Sequence, residues 1–180
     1  PFEVKERAKS IGRSYTLASG EANSNEVNIL LFEFSVHVKS LNTRCECPKA
    51  LIVDDNAYNL LALTHQLRSL DIDSISAVDG ELAIQEVLKN QGHHTKCKNF
   101  SIIFMDVEMP RLDGFETTKI LRKKMLEGEI SFVPIIGVSG HNPKEKRKEC
   151  LLSGMNDLVI KPVTPAMLIE MILKWVESPY

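Results

Sequence analysis

The chain has 180 residues, 43% of them hydrophobic and 26% charged, and a formal net charge of −2. That composition suits a globular protein of one ordinary domain plus an appendage, and the length excludes two large domains. The near-neutral balance lacks the basic surplus that nucleic-acid binding leaves, and no stretch approaches the roughly 20 apolar residues that span a bilayer.

The charged amino end does not read as a secretory signal. The expectation is therefore a cytoplasmic segment that touches neither nucleic acid nor membrane. A chain opening on Pro1 rather than Met is expected to be a piece of something longer. Of the cysteines Cys45, Cys47, Cys97 and Cys150, the first three with His93 and His94 match no usual zinc spacing, so all four read as free thiols in a reducing compartment.

Residues 1–48 differ in kind from the remainder of the chain. They are polar and irregular as far as Asn28, with turn formers gathered at 19–25. Phe32, Phe34, Val36 and Val38 then alternate with Glu33, Ser35, His37 and Lys39, the period of a strand with one wet face. Such a strand must pair with a sheet beyond itself. Leu41 to Lys49 reads as a linker.

From Ala50 the rhythm is regular. Ala50–Val53 is a short buried strand ending at Asp54-Asp55. A helix follows over 56–70, with Ala57, Leu60, Leu61, Thr64, Leu67 and Leu70 as its apolar stripe. A weaker strand covers 74–78, and Asp79 caps a helix to about Lys89 with Ala83, Ile84, Val87 and Leu88 inward. After the polar loop 91–99 comes the third strand, 101–105, an apolar run that stops at Asp106. The next helix, from Phe115 to about Glu127, turns Phe115, Ile120, Leu121 and Met125 inward. Phe132–Val138 is a fourth strand ending at Ser139-Gly140. Asn142-Pro143 opens a charged helix that stops at Gly154. Asp157–Ile160 is a fifth strand ending at Lys161-Pro162. Thr164-Pro165 starts a last helix with Met167, Leu168, Met171, Ile172, Trp175 and Val176 on one face. Repeated strand-then-helix units predict an α/β fold, a parallel sheet doubly wound by helices.

In such sheets ligands bind outside the carboxyl ends of the strands. Asp54, Asp55, Asp106, Ser139 and Lys161 all fall there. Three crowded carboxylates must hold a proton or attract a cation, and hard oxygen ligands suit Mg2+. A carboxylate beside that metal is a nucleophile toward a phosphoryl group. Lys161 would neutralise the transferring group, while Ser139 and the N–H of Gly140 donate to its oxygens.

Leu51-Ile-Val-Asp-Asp-Asn56, Met105-Asp-Val-Glu-Met-Pro-Arg-Leu-Asp-Gly114, Val138-Ser-Gly140 and Ile160-Lys-Pro162 resemble, in order, the receiver domain of two-component response regulators. The resemblance covers about residues 49–177 and leaves 1–48 as an extension or linker, read as the tail of an upstream kinase ATP-binding domain. It implies a flavodoxin-like five-stranded sheet in the order 2-1-3-4-5. It also implies that Asp106 takes a phosphoryl group from a phosphohistidine, carried by a histidine kinase or a phosphotransfer domain. Asp55 and Asp106 would bind Mg2+ directly, Asp54 through water, and Glu108 through its main-chain carbonyl. Ser139 and Lys161 would sense the phosphoryl group. Such a domain catalyses only its own phosphorylation and dephosphorylation, and the flanks point to the carboxyl-terminal receiver of a hybrid sensor kinase.

Two departures stand out. Leu158 occupies the place of a frequent aromatic relay, and Glu108 and His141 fall where side chains tune acyl-phosphate lifetime. The basic stretch Lys144, Lys146 and Lys148 reads either as a solvated face or as a docking surface for an acidic partner. Against the receiver stand a Mg2+-dependent phosphohydrolase with Asp106 as nucleophile, and a degenerate receiver that only binds.

Overall fold

The computed structural model describes residues 50–90, 100–140 and 143–176, the side chains of 143–145 excepted. The expectations for residues 1–48, the 91–99 loop, His141, the Asn142 cap and the side chain of Lys144 lie outside the described residues. Five strands, β1 (Ala50–Val53), β2 (Ser74–Ala77), β3 (Ile102–Asp106), β4 (Ile135–Ser139) and β5 (Asp157–Ile160), alternate with five helices among the described residues. These are α1 (Ala57–Ser69), α2 (Gly80–Lys89), α3 (Gly114–Leu126), α4 (Pro143–Ser153) and α5 (Pro165–Trp175). All strand pairs are parallel, in the order β2-β1-β3-β4-β5. This is the doubly wound sheet the sequence predicts.

Alternate residues of the central strands feed two cores. Ile52, Phe104 and Ile136 join Leu60, Leu63 and Leu67 of α1 and Leu168 and Ile172 of α5 on one face. Leu51, Ile103 and Ile135 join Ala83 and Val87 of α2, Leu121 of α3 and Cys150 of α4 on the other. Each Leu or Ile so buried contributes about 1.5–3 kcal/mol. β1 and β3 are therefore held from both sides, and the acids at their carboxyl ends are fixed in place.

Four helices are capped by the residue just before them. Asn56, Asp79, Asp113 and Thr164 accept from the N–H of Tyr58, Leu82, Glu116 and Met167. Gly154 ends α4 with φ +95°, a conformation glycine tolerates best.

Three expectations need correction. In α1 the inner stripe is Leu60, Leu63, Leu67 and Leu70, while Leu61 and Ala57 face water. Spacings of three and four residues keep one line on a 3.6-residue helix, and Leu61 sits about 100° away from Leu60. In α2, Leu88 is likewise turned outward. β4 begins at Ile135 rather than Phe132. Pro134 has no N–H to give a ladder, although its carbonyl accepts from Ile103 N–H at 2.8 Å. No described helix is long and apolar enough to cross a membrane.

Candidate functional site

The parallel register brings the ends of β1, β3, β4 and β5 to one rim of the sheet. Asp54 and Asp106 arrive there buried, Ser139 is buried at the end of β4, and Asp55 and Gly140 are exposed. The ligand oxygens of Asp54, Asp55 and Asp106 all lie within 4.8 Å of one another. Lys161 reaches in from the end of β5, its Nζ 2.6 Å from Asp106 Oδ2 and 2.7 Å from Asp54 Oδ2. The Lys161 N–H donates to the Ser139 carbonyl at 2.8 Å, which extends the β4–β5 ladder and fixes the backbone from which the ammonium reaches inward. Four of the five residues singled out from the sequence, Asp54, Asp55, Asp106 and Lys161, are thus gathered in one crevice, and Ser139 ends β4 at the same rim.

The two buried acids differ in what they have left to offer. Asp54 Oδ1 accepts from the Asn56 N–H at 2.9 Å, and both its oxygens accept from Asn59 Nδ2 at 3.0 Å. Its oxygens are largely committed. Asp106 has Oδ1 held by the Glu108 N–H at 3.1 Å and Oδ2 held by Lys161. Burial raises the Asp106 pKa above the usual carboxylate value, and Lys161 and the Glu108 N–H offset only part of that while Asp54 adds to it. The Lys161 pKa is itself raised: burial opposes its charge, but the hydrogen bonds to Asp106 and Asp54 outweigh that.

The loop after Asp106 is tightly seated. A Cβ on Gly114 would lie 2.1 Å from the Asp106 carbonyl oxygen, so only glycine lets α3 start this close to the acceptor strand. Arg111 in this loop takes φ 68°, which costs a side-chain-bearing residue about 1 kcal/mol. Asp113 closes it by capping α3.

Some functional contacts escaped the sequence reading. Asn59 is one. An amide in the first turn of a helix that starts at a strand-end acid was a usable signal for it. The pairing of Lys146 with Glu108 at 3.3 Å is another, and it joins segments that only tertiary structure brings together. It removes Lys146 from the set of free docking charges. Leu158 is buried against Gly137, in the place of the aromatic relay.

The acids fit a hard divalent cation. All three donors are carboxylate oxygens, three negative charges meet one ammonium, and exposed Asp55 leaves an open side for water. The family model for the response regulator receiver domain matches residues 50–173. The chain belongs to this family.

Hybrid signal transduction histidine kinase A of Dictyostelium discoideum is 37% identical over 127 residues, 71% of this chain. The match is 6% of that kinase's length, and a match to the sensor protein GacS of Pseudomonas syringae is 13% of its length, so the chain spans a small part of such relatives. Among solved structures, the receiver domain of a Pseudomonas aeruginosa sensor histidine kinase, with a magnesium ion coordinated in its active site cleft, has TM-score 0.61 and 30% identity, covering 73% of this chain and 99% of that one. The receiver domain of the Saccharomyces cerevisiae response regulator Ssk1, solved with the histidine phosphotransfer protein Ypd1, has TM-score 0.62 and 28% identity over 72% of this chain and 89% of that one. The phosphohydrolase alternative finds no support in these matches.

Proposed function

We propose that Asp106 of this receiver is the phosphoacceptor of a phosphorelay. The observation that carries the reading is the Lys161 ammonium bridging Asp106 and Asp54 at 2.6 and 2.7 Å, with Asp55 beside them. An Asp106 carboxylate oxygen attacks phosphorus. The P–N bond of the phosphohistidine breaks, and the imidazole leaves with that electron pair. The bound Mg2+ would supply positive charge for the phosphoryl oxygens, held by Asp55 and Asp106 directly, by Asp54 through water and by the Glu108 carbonyl. The committed oxygens of Asp54 agree with its indirect role. Lys161, Ser139 and the Gly140 N–H bind the phosphoryl oxygens, and Ser139 and Lys161 sense their arrival.

Residues 49–177 make the receiver, 1–48 are an extension or linker that fits the tail of an upstream kinase ATP-binding domain, and the parent is a hybrid histidine kinase. A kinase parent is supported by the hybrid histidine kinase among the relatives and by the receiver domain of a sensor histidine kinase among the solved structures. The donor is the phosphohistidine of a histidine kinase or phosphotransfer protein in the cytoplasm. Tyr58 and Leu61, exposed at the start of α1 beside the crevice, offer it an apolar contact.

Incubation with acetyl phosphate and Mg2+, followed by intact mass, tests the acceptor. One phosphate adduct is expected in the parent chain and none in Asp106→Asn. An adduct that persists in Asp106→Asn overturns the assignment.

A further inference from the structure

Three elements meet at the mouth of the crevice. Lys146 of α4 places its Nζ 3.3 Å from Glu108 Oε1 and 3.6 Å from Glu149 Oε2. The same ammonium stands 5.4 Å from the centroid of the Phe115 ring, at the start of α3. Glu108 is anchored to the acceptor through its N–H, which donates to Asp106 Oδ1 at 3.1 Å. Its main chain is thereby fixed, and its side chain brings a fourth carboxylate to a rim that already holds Asp54, Asp55 and Asp106.

A phosphoryl donor is an anion. Every uncompensated carboxylate near its path slows its approach, and the effect is greatest at low salt, where a charge acts over about 10 Å or more. Lys161 is committed to the two buried acids. It does not serve Glu108. Both partners of the Glu108–Lys146 pair are partly exposed, so the pair contributes little to stability. Its effect lies in the field that the incoming donor meets.

We infer that Lys146 is a positioning residue for phosphoryl acceptance: by pairing with Glu108 beside Phe115, it cancels that carboxylate's charge at the entrance and holds it toward α4. The inference rests on Asp106 being the acceptor. α4 is tied to the acceptor loop through this contact, independently of any aromatic relay at Leu158.

The test is the initial rate of adduct formation from acetyl phosphate with Mg2+ in the whole chain, at low salt and at about 0.5 M salt. Lys146→Gln is expected to load about threefold to tenfold more slowly at low salt, with the deficit shrinking at high salt. Lys146→Arg should keep the parent rate. Adding Glu108→Gln to Lys146→Gln should recover most of the lost rate, and the salt dependence of the single variant's deficit separates a field effect from a structural one. The exchanged pair Glu108→Lys with Lys146→Glu serves as a second probe should Lys146→Gln fold poorly, and it too should recover most of the rate. Loading of Lys146→Gln at the parent rate at low salt overturns the inference, as does a double variant no faster than the single one. A parent chain that takes no phosphate on Asp106 sinks the acceptor reading itself, before any variant is compared.

Discussion

The sheet carries a buried aspartate with lysine at each of its two ends, and the two clusters balance charge in opposite senses. Asp157 begins β5 at the amino end of the strands. Its Oδ1 accepts from Arg147 Nη2 and from the Leu158 N–H, both at 2.9 Å, and its Oδ2 accepts from Lys174 Nζ. Burial pushes this carboxyl's pKa up, but Lys174, the Leu158 N–H and Arg147 together bring it below the ordinary value. At the carboxyl end burial also pushes Asp106 up, and there it wins. One carboxylate faces two cations in the first cluster, whereas the second gathers three carboxylates and its Lys161 ammonium pairs with only two of them, Asp54 and Asp106. The amino end is complete as folded. The crevice is short of positive charge, as a site must be if it is to recruit a metal and a phosphoryl group.

Removing the crevice's own cation breaks the contrast most severely. Lys161→Met is expected to lower the rate of adduct formation on Asp106 about a hundredfold, the scale for losing a preorganised charge aimed at developing negative charge. Without Mg2+ it should also destabilise the fold by about 3 kcal/mol, because two buried carboxylates lose their partner. Loading from acetyl phosphate and urea melts in EDTA check the two effects.

Supplying a cation is the next test. Mg2+ at a hundred times its Kd should stabilise the parent chain by about 2.7 kcal/mol, read as a rise in Tm. Asp55→Asn should lose most of that rise while changing metal-free stability by no more than about 0.5 kcal/mol, since Asp55 is exposed. An equal rise in Asp55→Asn would show that the cation does not use this carboxylate.

The crevice was legible in the sequence because its residues come directly after apolar runs that can only be buried strands. Asp54, Asp106, Ser139 and Lys161 each mark the end of such a run, and a parallel sheet sends all those ends to one rim. The fold came from the same regularity. The features that escaped depended on phase or on distance along the chain. Leu61 and Leu63 are both leucines in a leucine-rich helix, and composition cannot say which faces the sheet. Pro134 moved the start of β4 because a missing N–H outweighs the apolar character of Phe132 and Val133. Glu108 with Lys146, and Asp157 with Arg147 and Lys174, are pairs whose partners lie on different elements. No local pattern announces them.

Asp157→Asn is the mildest change and tests whether the amino-end cluster is purely structural. Asparagine keeps an acceptor for the Leu158 N–H, and the stranded cations can reach water, since the side chains of Arg147 and Lys174 are 59% and 38% exposed. The cost should therefore be about 1–2 kcal/mol rather than the roughly 3–5 kcal/mol of a fully enclosed pair. Loading of Asp106 should stay within about twofold of the parent, because the clusters sit at opposite ends of the strands and distant sites act independently. The pH dependence carries a definite sign. The folded carboxyl titrates below its ordinary value of 3.8, so its contribution is fully present above that value and is lost as pH falls through the lower folded one. Urea melts should show a constant stability gap between parent and Asp157→Asn from about pH 7 down to about 5, closing below about pH 4. A gap that widened on acidification would mean that the aspartate is held in its neutral form, and the two ends of the sheet would then not differ in kind.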